Sequence, residues 1–255
     1  MSFAKVFLCL FLALVAVDAW SPIEGRTNFV SRELNNLCRK FMGWSIPDSQ
    51  LYNYPSSELD LYLVDIHIYS GDLGFQFPAF HFCNVMNKGF MECVLYDGPT
   101  KDSGIVGVEF FISKEKFESL SDEEKKLWHS HHYEVLSGMF VAPDVPDEDE
   151  PKLMEWLMTT YGKVIDVWHQ NDELPINPPR LGMALALDSQ VDWSVVDKMD
   201  KILGLKTNTQ ERREARKSLK IPPKAKGAES YLETGKMPQF QVYFIDVPDN
   251  GRTRK

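Results

Sequence analysis

The chain lacks the short motifs that announce most catalytic classes. It has no G-x-S-x-G elbow, no H-E-x-x-H pair, no P-loop and no G-x-G-x-x-G turn. Each of those motifs places a nucleophile, a zinc ion or a phosphate by local geometry, so none of those sites is readable here. Positive charge is also scarce, with 28 Lys+Arg against 37 Asp+Glu and a formal net charge of −9. Nucleic acid needs a basic face, so no nucleic-acid partner is expected. The same deficit weakens electrostatic capture by anionic membranes. No Asn-x-Ser/Thr sequon and no KDEL-type ending occur. Past the first twenty residues, apolar runs such as Met183–Leu187 fall far short of the roughly 18 residues that cross a bilayer. What remains is ordinary for a folded chain: 255 residues, 44% hydrophobic and 25% charged, enough for one or two domains.

The N-terminus reads as an address. Lys5 precedes the apolar run Val6–Val17, and Val17-Asp18-Ala19 closes it with small residues. Twelve apolar residues rise about 18 Å as a helix, against a hydrocarbon core of roughly 30 Å. The expectation is a cleaved signal peptide over residues 1–19, a secreted mature chain and no transmembrane segment after cleavage. Cleavage would remove Cys9 and leave Cys38, Cys83 and Cys93. Two β-prone runs flank Asn87-Lys88-Gly89, and a three-residue loop there sets Cys83 opposite Cys93. A Cys83–Cys93 disulfide fits that register. Two buried thiols fit a one-residue slip.

Hydrophobic periodicity suggests an amphipathic helix over Asn28–Met42 and loop over residues 43–58. Strand patterns then follow at Leu61–Tyr69, Ala79–Met86, Phe90–Tyr96 and Ile105–Ile112. Ser113 and Ser121 can cap two short helices, the second through a capping box with Glu124. Tyr133–Val141 reads as one or two strands. A helix after Pro151 carries Leu153, Trp156, Leu157 and Tyr161 on one face, with Gly162 as its stop. Lys163–His169 and Leu181–Leu187 read as strands. Asp192 can cap a helix ending at Gly204, Thr209–Leu219 reads as a charged helix, and Phe240–Ile245 as a late strand. The expected fold class is α+β: a central antiparallel β-sheet or barrel-like core, flanking helices and a helical C-terminal extension. The expected divisions are a leader (1–19), an N-terminal helix and loop (20–60), a central domain (61–222) and a tail (223–255).

All six histidines fall between His67 and His169. His129-Ser130-His131-His132-Tyr133-Glu134 is the densest stretch. If it is extended, His129 and His131 share a face, and two imidazoles with a nearby carboxylate can ligate Zn, Mn or Fe. The candidate ligand set is His67, His81, His129, His131, Glu134 and Asp166, with His169 a further option. The H-x-H spacing resembles the first metal motif of the cupins, although the Glu comes early and no second motif follows. The alternative is a set of hydrogen-bonded, partly buried histidines beside Trp128 and Tyr133. Glu92 and Glu109 read as salt-bridged or edge carboxylates. The basic helix Arg212–Lys220 suits either lipid head groups or solvent, since Glu211 and Glu214 interleave.

Several segments resemble the oil body-associated protein family. They are Asp65-Ile66-His67-Ile68-Tyr69, Phe80-His81-Phe82-Cys83, Met91-Glu92-Cys93-Val94-Leu95-Tyr96-Asp97 and Ile105-Val106-Gly107-Val108-Glu109-Phe110. Most specific is the run from Phe117 through Leu127-Trp128-His129-Ser130-His131 to Ser137-Gly138-Met139. The resemblance covers about residues 61–222. It implies association with lipid droplets and no established reaction. Members usually carry His where this chain has Asp166, and the plant members lack a signal peptide. The function expected is a non-enzymatic, secreted protein that meets a lipid surface or a small ligand, or else a cupin-like metal protein.

Overall fold

The computed structural model describes residues 60–100, 102–168, 173–174 and 178–246. The leader, the Asn28–Met42 helix, the loop after it, Cys38 and His169 lie outside the described residues.

Six antiparallel strands close into a barrel: β1 (Leu61–Tyr69), β2 (Asp72–Asn87), β3 (Phe90–Tyr96), β4 (Ile105–Ser113), β6 (Thr160–Asp166) and β7 (Arg180–Ala184). The hydrogen-bonded order is β4-β3-β2-β1-β7-β6, and a β4–β6 pairing joins the two edges. A two-residue strand, β5 (His129–Ser130), pairs with Tyr161–Gly162 on the edge of β6 that β7 uses further along. The α+β expectation holds, and the sheet is the closed form of it.

Alternation along β1 sorts its side chains to two faces. Leu63 and Tyr69 join an interior cluster with Phe77, Ala79, Met91, Leu95, Phe111 and Val164. Val64, Ile66 and Ile68 join a second cluster outside the barrel with Val196 and Met199. Those last two lie on helix α5 (Trp193–Leu203), which starts at the Asp192 cap and stops at left-handed Gly204. Each fully buried Leu, Ile or Phe contributes about 1.5–3 kcal/mol, so both faces stabilise the strand. Ser113 and Ser121 cap helices α1 (Lys114–Glu118) and α2 (Asp122–Lys125). Cys83 pairs with Cys93 in the β2–β3 register and is bonded to it, with Cα atoms 4.0 Å apart.

Several segments depart from the sequence expectations, and β2 begins at Asp72 rather than Ala79. Tyr133 lies in helix α3 (His132–Leu136), where strands were expected. The β-prone Tyr133 and Val135 are overridden by tertiary clamps. Arg216 donates to the carbonyls of Val135 and Phe140 at 2.8 Å each, and Arg212 Nε donates to Gly138 O at 2.9 Å. Gly138 has φ +84°, and a Cβ there would meet Arg213 N at 2.8 Å, so only glycine makes this turn. Arg212 lies on α6 (Thr209–Ala215), and Arg216 follows it in a 3₁₀ turn. Both side chains are buried, so this helix does not offer them to lipid head groups. Helix α4 (Glu150–Leu157) ends early, and Tyr161 and Gly162 belong to β6 instead, paired with Ile112 and Phe111. A final helix, α7 (Tyr231–Thr234), precedes residues 240–245, which form no strand.

Candidate metal centre

Four imidazoles converge on one carboxylate inside the barrel. His67 and His81 come from adjacent strands β1 and β2. Glu109 comes from β4, with Gly107 and Phe111 on the same strand face. His129 comes from β5, and His131 from the turn into α3. Because the chain turns there, His129 and His131 reach the centre from two backbone conformations rather than by strand alternation. All five side chains are about 1% exposed.

The carboxylate divides its oxygens between the pairs. Glu109 Oε2 lies 2.8 Å from His81 Nε2 and 3.5 Å from His67 Nε2. Oε1 lies 3.3 Å from His129 Nε2 and 3.4 Å from His131 Nε2. His67 Nε2 and His81 Nε2 are 3.2 Å apart. Gly162, opposite both His129 and Phe111 in the ladders, makes room for this arrangement. A Cβ at Gly162 would lie 2.6 Å from His129 Nε2 and closer still to Glu109 Oε1.

Outer hydrogen bonds set two of the tautomers. His81 Nδ1 lies 3.0 Å from Ala79 O. A carbonyl only accepts, so the ring proton sits on Nδ1. His131 Nδ1 lies 2.7 Å from Thr160 Oγ1, whose own proton goes to Leu157 O at 2.7 Å. Thr160 therefore accepts from His131 Nδ1. With its proton on Nδ1, a neutral His131 ring turns an Nε2 lone pair toward Glu109, while His81 Nε2 is hydrogen-bonded to Glu109 Oε2 at 2.8 Å. Metal-ligating histidines are oriented in this manner, by donation of the distal N–H.

Electrostatics agree with neutral His67 and His131 rings beside an anionic carboxylate. Burial pushes the His131 imidazole down to about 4, against the pull of Glu109. Burial likewise lowers His67. Burial alone would raise Glu109, but the hydrogen-bonding contacts of His129, His131, His67 and His81 together hold it well below the usual carboxylate range.

The structure thus brings His67, His81, His129 and His131 together. Glu134 and Asp166 stand apart from the group. Glu134 is buried beside Asp65, and burial followed by that neighbouring charge raises its carboxyl well above the usual value. Asp166 is buried with neither carboxylate oxygen hydrogen-bonded, and burial followed by the Glu109 charge raises it well above its usual value. His132 turns away, its Nε2 lying 2.7 Å from Pro222 O. The central residue, Glu109, was read from sequence as an edge or salt-bridged carboxylate. Its signal was present: a lone acid in Val106-Gly107-Val108-Glu109-Phe110-Phe111 shares its face with a glycine and a buried aromatic.

The fold is thus a small antiparallel barrel with a buried His₄Glu cluster in its interior. Comparison with known proteins gives the kinship. The family described as "Protein of unknown function (DUF1264)" matches residues 53–220, and the chain belongs to that family. The chain is 35% identical over 198 residues to oil body-associated protein 1B of Arabidopsis thaliana, covering 76% of this chain and 80% of that one. It is 33% identical over 201 residues to oil body-associated protein 1A of Zea mays, covering 76% and 81%. No solved structure matches.

These relatives correct the expectation of secretion. They are named for association with oil bodies, not for export. The expectation rested on residues 1–19, which lie outside the matched segment 53–220, so the shared domain never carried it. Among the described residues, no helix is long and apolar enough to cross a membrane.

Proposed function

We propose that this family member holds a divalent transition metal, zinc, manganese or iron, on His67, His81, His129, His131 and Glu109. One observation carries the reading: four buried imidazoles turn their Nε2 atoms onto the two oxygens of one buried carboxylate, at 2.8 to 3.5 Å. A cation accepts lone pairs from imidazole and carboxylate alike. Nitrogen-rich ligation favours zinc, iron or manganese over calcium or magnesium. Ligands alone define no reaction, so the proposal is metal binding and not a named catalysis. The test is elemental analysis of tag-free full-length protein, with thermal unfolding in chelator and after adding Zn²⁺, Mn²⁺ or Fe²⁺. Bound metal and a metal-dependent rise in Tm support the centre. Absence of both overturns it.

A second reading concerns the surface. Val242, Tyr243, Phe244 and Ile245 are 67%, 79%, 100% and 76% exposed, an apolar run with no packing partner in the barrel clusters. Gln239 tethers its start by accepting from Leu181 N and donating to Ser70 O. Together with the name of the relatives, this run supports contact with a lipid surface without a membrane span. Flotation with triacylglycerol emulsions checks it. The full chain should float, and a Tyr243→Glu/Phe244→Glu variant should stay in the aqueous layer. Equal flotation of both, or of neither, overturns this role of the run.

A further inference from the structure

We infer that the buried centre takes two divalent ions bridged by Glu109. This inference rests on the metal-centre proposal above and adds its nuclearity. The five donors do not form one compact shell. They form two triads that share Glu109, His67–His81–Glu109 and Glu109–His129–His131, each with its donor atoms within 4.8 Å of one another.

Bond lengths make the distinction. With metal–nitrogen and metal–oxygen bonds of about 2.0–2.1 Å, tetrahedral donors lie about 3.3 Å apart, and no two donors on one ion exceed about 4.2 Å. The first triad has edges of 2.8, 3.2 and 3.5 Å. In the second, Oε1 stands 3.3 and 3.4 Å from its two nitrogens. The first triad already has nearly the edge lengths of a tetrahedral face, and the second has two such edges. No larger group unites them, so a single ion that used all five donors would have to draw the histidine pairs inward. Two ions, one per carboxylate oxygen, need far less movement. A bridging carboxylate holds such a pair about 3.5–4 Å apart.

The fold supports the division. His67 and His81 are set by the β1–β2 ladder, and His129 and His131 by the segment that enters α3. Each pair includes one ring locked by an outer acceptor, Ala79 O for His81 and Thr160 Oγ1 for His131. Each half-site is therefore built separately. Three protein donors per ion leave a coordination position open on each.

The experiment titrates chelator-stripped, full-length protein with Mn²⁺ and with Zn²⁺, reading stoichiometry by elemental analysis after desalting and Mn²⁺ by EPR. Two equivalents per chain and a spin-coupled, broadened Mn²⁺ signal are expected. A His129→Ala/His131→Ala variant should hold one equivalent and show an isolated six-line signal. Saturation of the unmodified chain at one equivalent, with six isolated lines, overturns the two-ion inference and leaves the metal centre standing. Zero equivalents overturns both. The unmodified chain decides the matter even if the variant fails to fold.

Discussion

Gly162→Ala isolates the geometry of the centre with one methyl group. Gly162 is not among the positive-φ glycines, so its backbone suits alanine. On chain entropy alone, the substitution would stabilise the fold by about 0.4–1 kcal/mol. The site opposes it. The new Cβ would stand 2.6 Å from His129 Nε2 and closer to Glu109 Oε1, while His129 is 1% exposed and lacks free space to retreat. Overpacking of this kind costs about 1–3 kcal/mol, so packing outweighs entropy. The metal-free variant should be less stable by about 1–2 kcal/mol, or about 2–8 °C in Tm for a domain of this size. The larger effect is on binding. Metal at 100 times its Kd stabilises the parent by about 2.7 kcal/mol, roughly 5–11 °C. The variant, with Glu109 and His129 displaced, should lose most of that rise. Differential scanning calorimetry in chelator and in excess Zn²⁺ measures both quantities. A Gly162→Ala chain as stable as the parent and with an undiminished metal-induced rise would refute the geometry.

Thr160→Val keeps the shape of the side chain but removes the acceptor that fixes His131 Nδ1–H. Metal affinity should fall about 10–100-fold, as read by competition with a chromogenic chelator, because the outer partner orients the ligand ring. Unchanged affinity would mean that Thr160 does not set the tautomer. Acid should destabilise the metal-free protein through His131. Its imidazole titrates near 4 when folded against an ordinary 6.5, so between these values only the unfolded chain takes up the proton. Stability is full above about pH 6.5 and declines by about 3 kcal/mol as the pH falls to about 4. Urea midpoints from pH 7 to 4 test this, and a His131→Gln chain should show a shallower decline. Asp166 has the opposite sign. Its folded carboxyl binds its proton more tightly than the unfolded one, so it weakens the fold as pH rises above about 4. Asp166→Asn should raise the metal-free urea midpoint at pH 8 and change it little at pH 4. A gain independent of pH would remove the carboxyl as its cause.

Local chemistry settled much of this protein within the sequence itself. The alternation in Leu61–Tyr69, Phe90–Tyr96 and Ile105–Ile112 marks strands because a pleated chain sends successive side chains to opposite faces. Ser113, Ser121 and Asp192 mark helix starts because a side-chain oxygen satisfies an otherwise unpaired amide. Cys83 stands against Cys93 as the sequence suggests, but a bulge at Met86 with a Lys88-Gly89 turn sets that register, not the three-residue loop expected. These signals act within a few residues, so the sequence carries them in the open.

The site required distant parts of the chain to meet. His67, His81, Glu109, His129 and His131 span more than sixty positions and share no motif. Barrel closure through the β4–β6 pairing sets Glu109 opposite Val164 and brings Gly162 beside His129. Glu109 has the same local surroundings whether its strand is an edge or a barrel stave, and only closure distinguishes a solvated carboxylate from a ligand. Glu134 shows the converse. Its place in the His-rich run suggested a ligand, but the Arg212 and Arg216 clamps wind that run into a helix and turn the carboxyl toward Asp65. Strands and caps are local free-energy minima. A buried charge cluster exists only when the whole interior excludes water around it, and that property belongs to the tertiary structure alone.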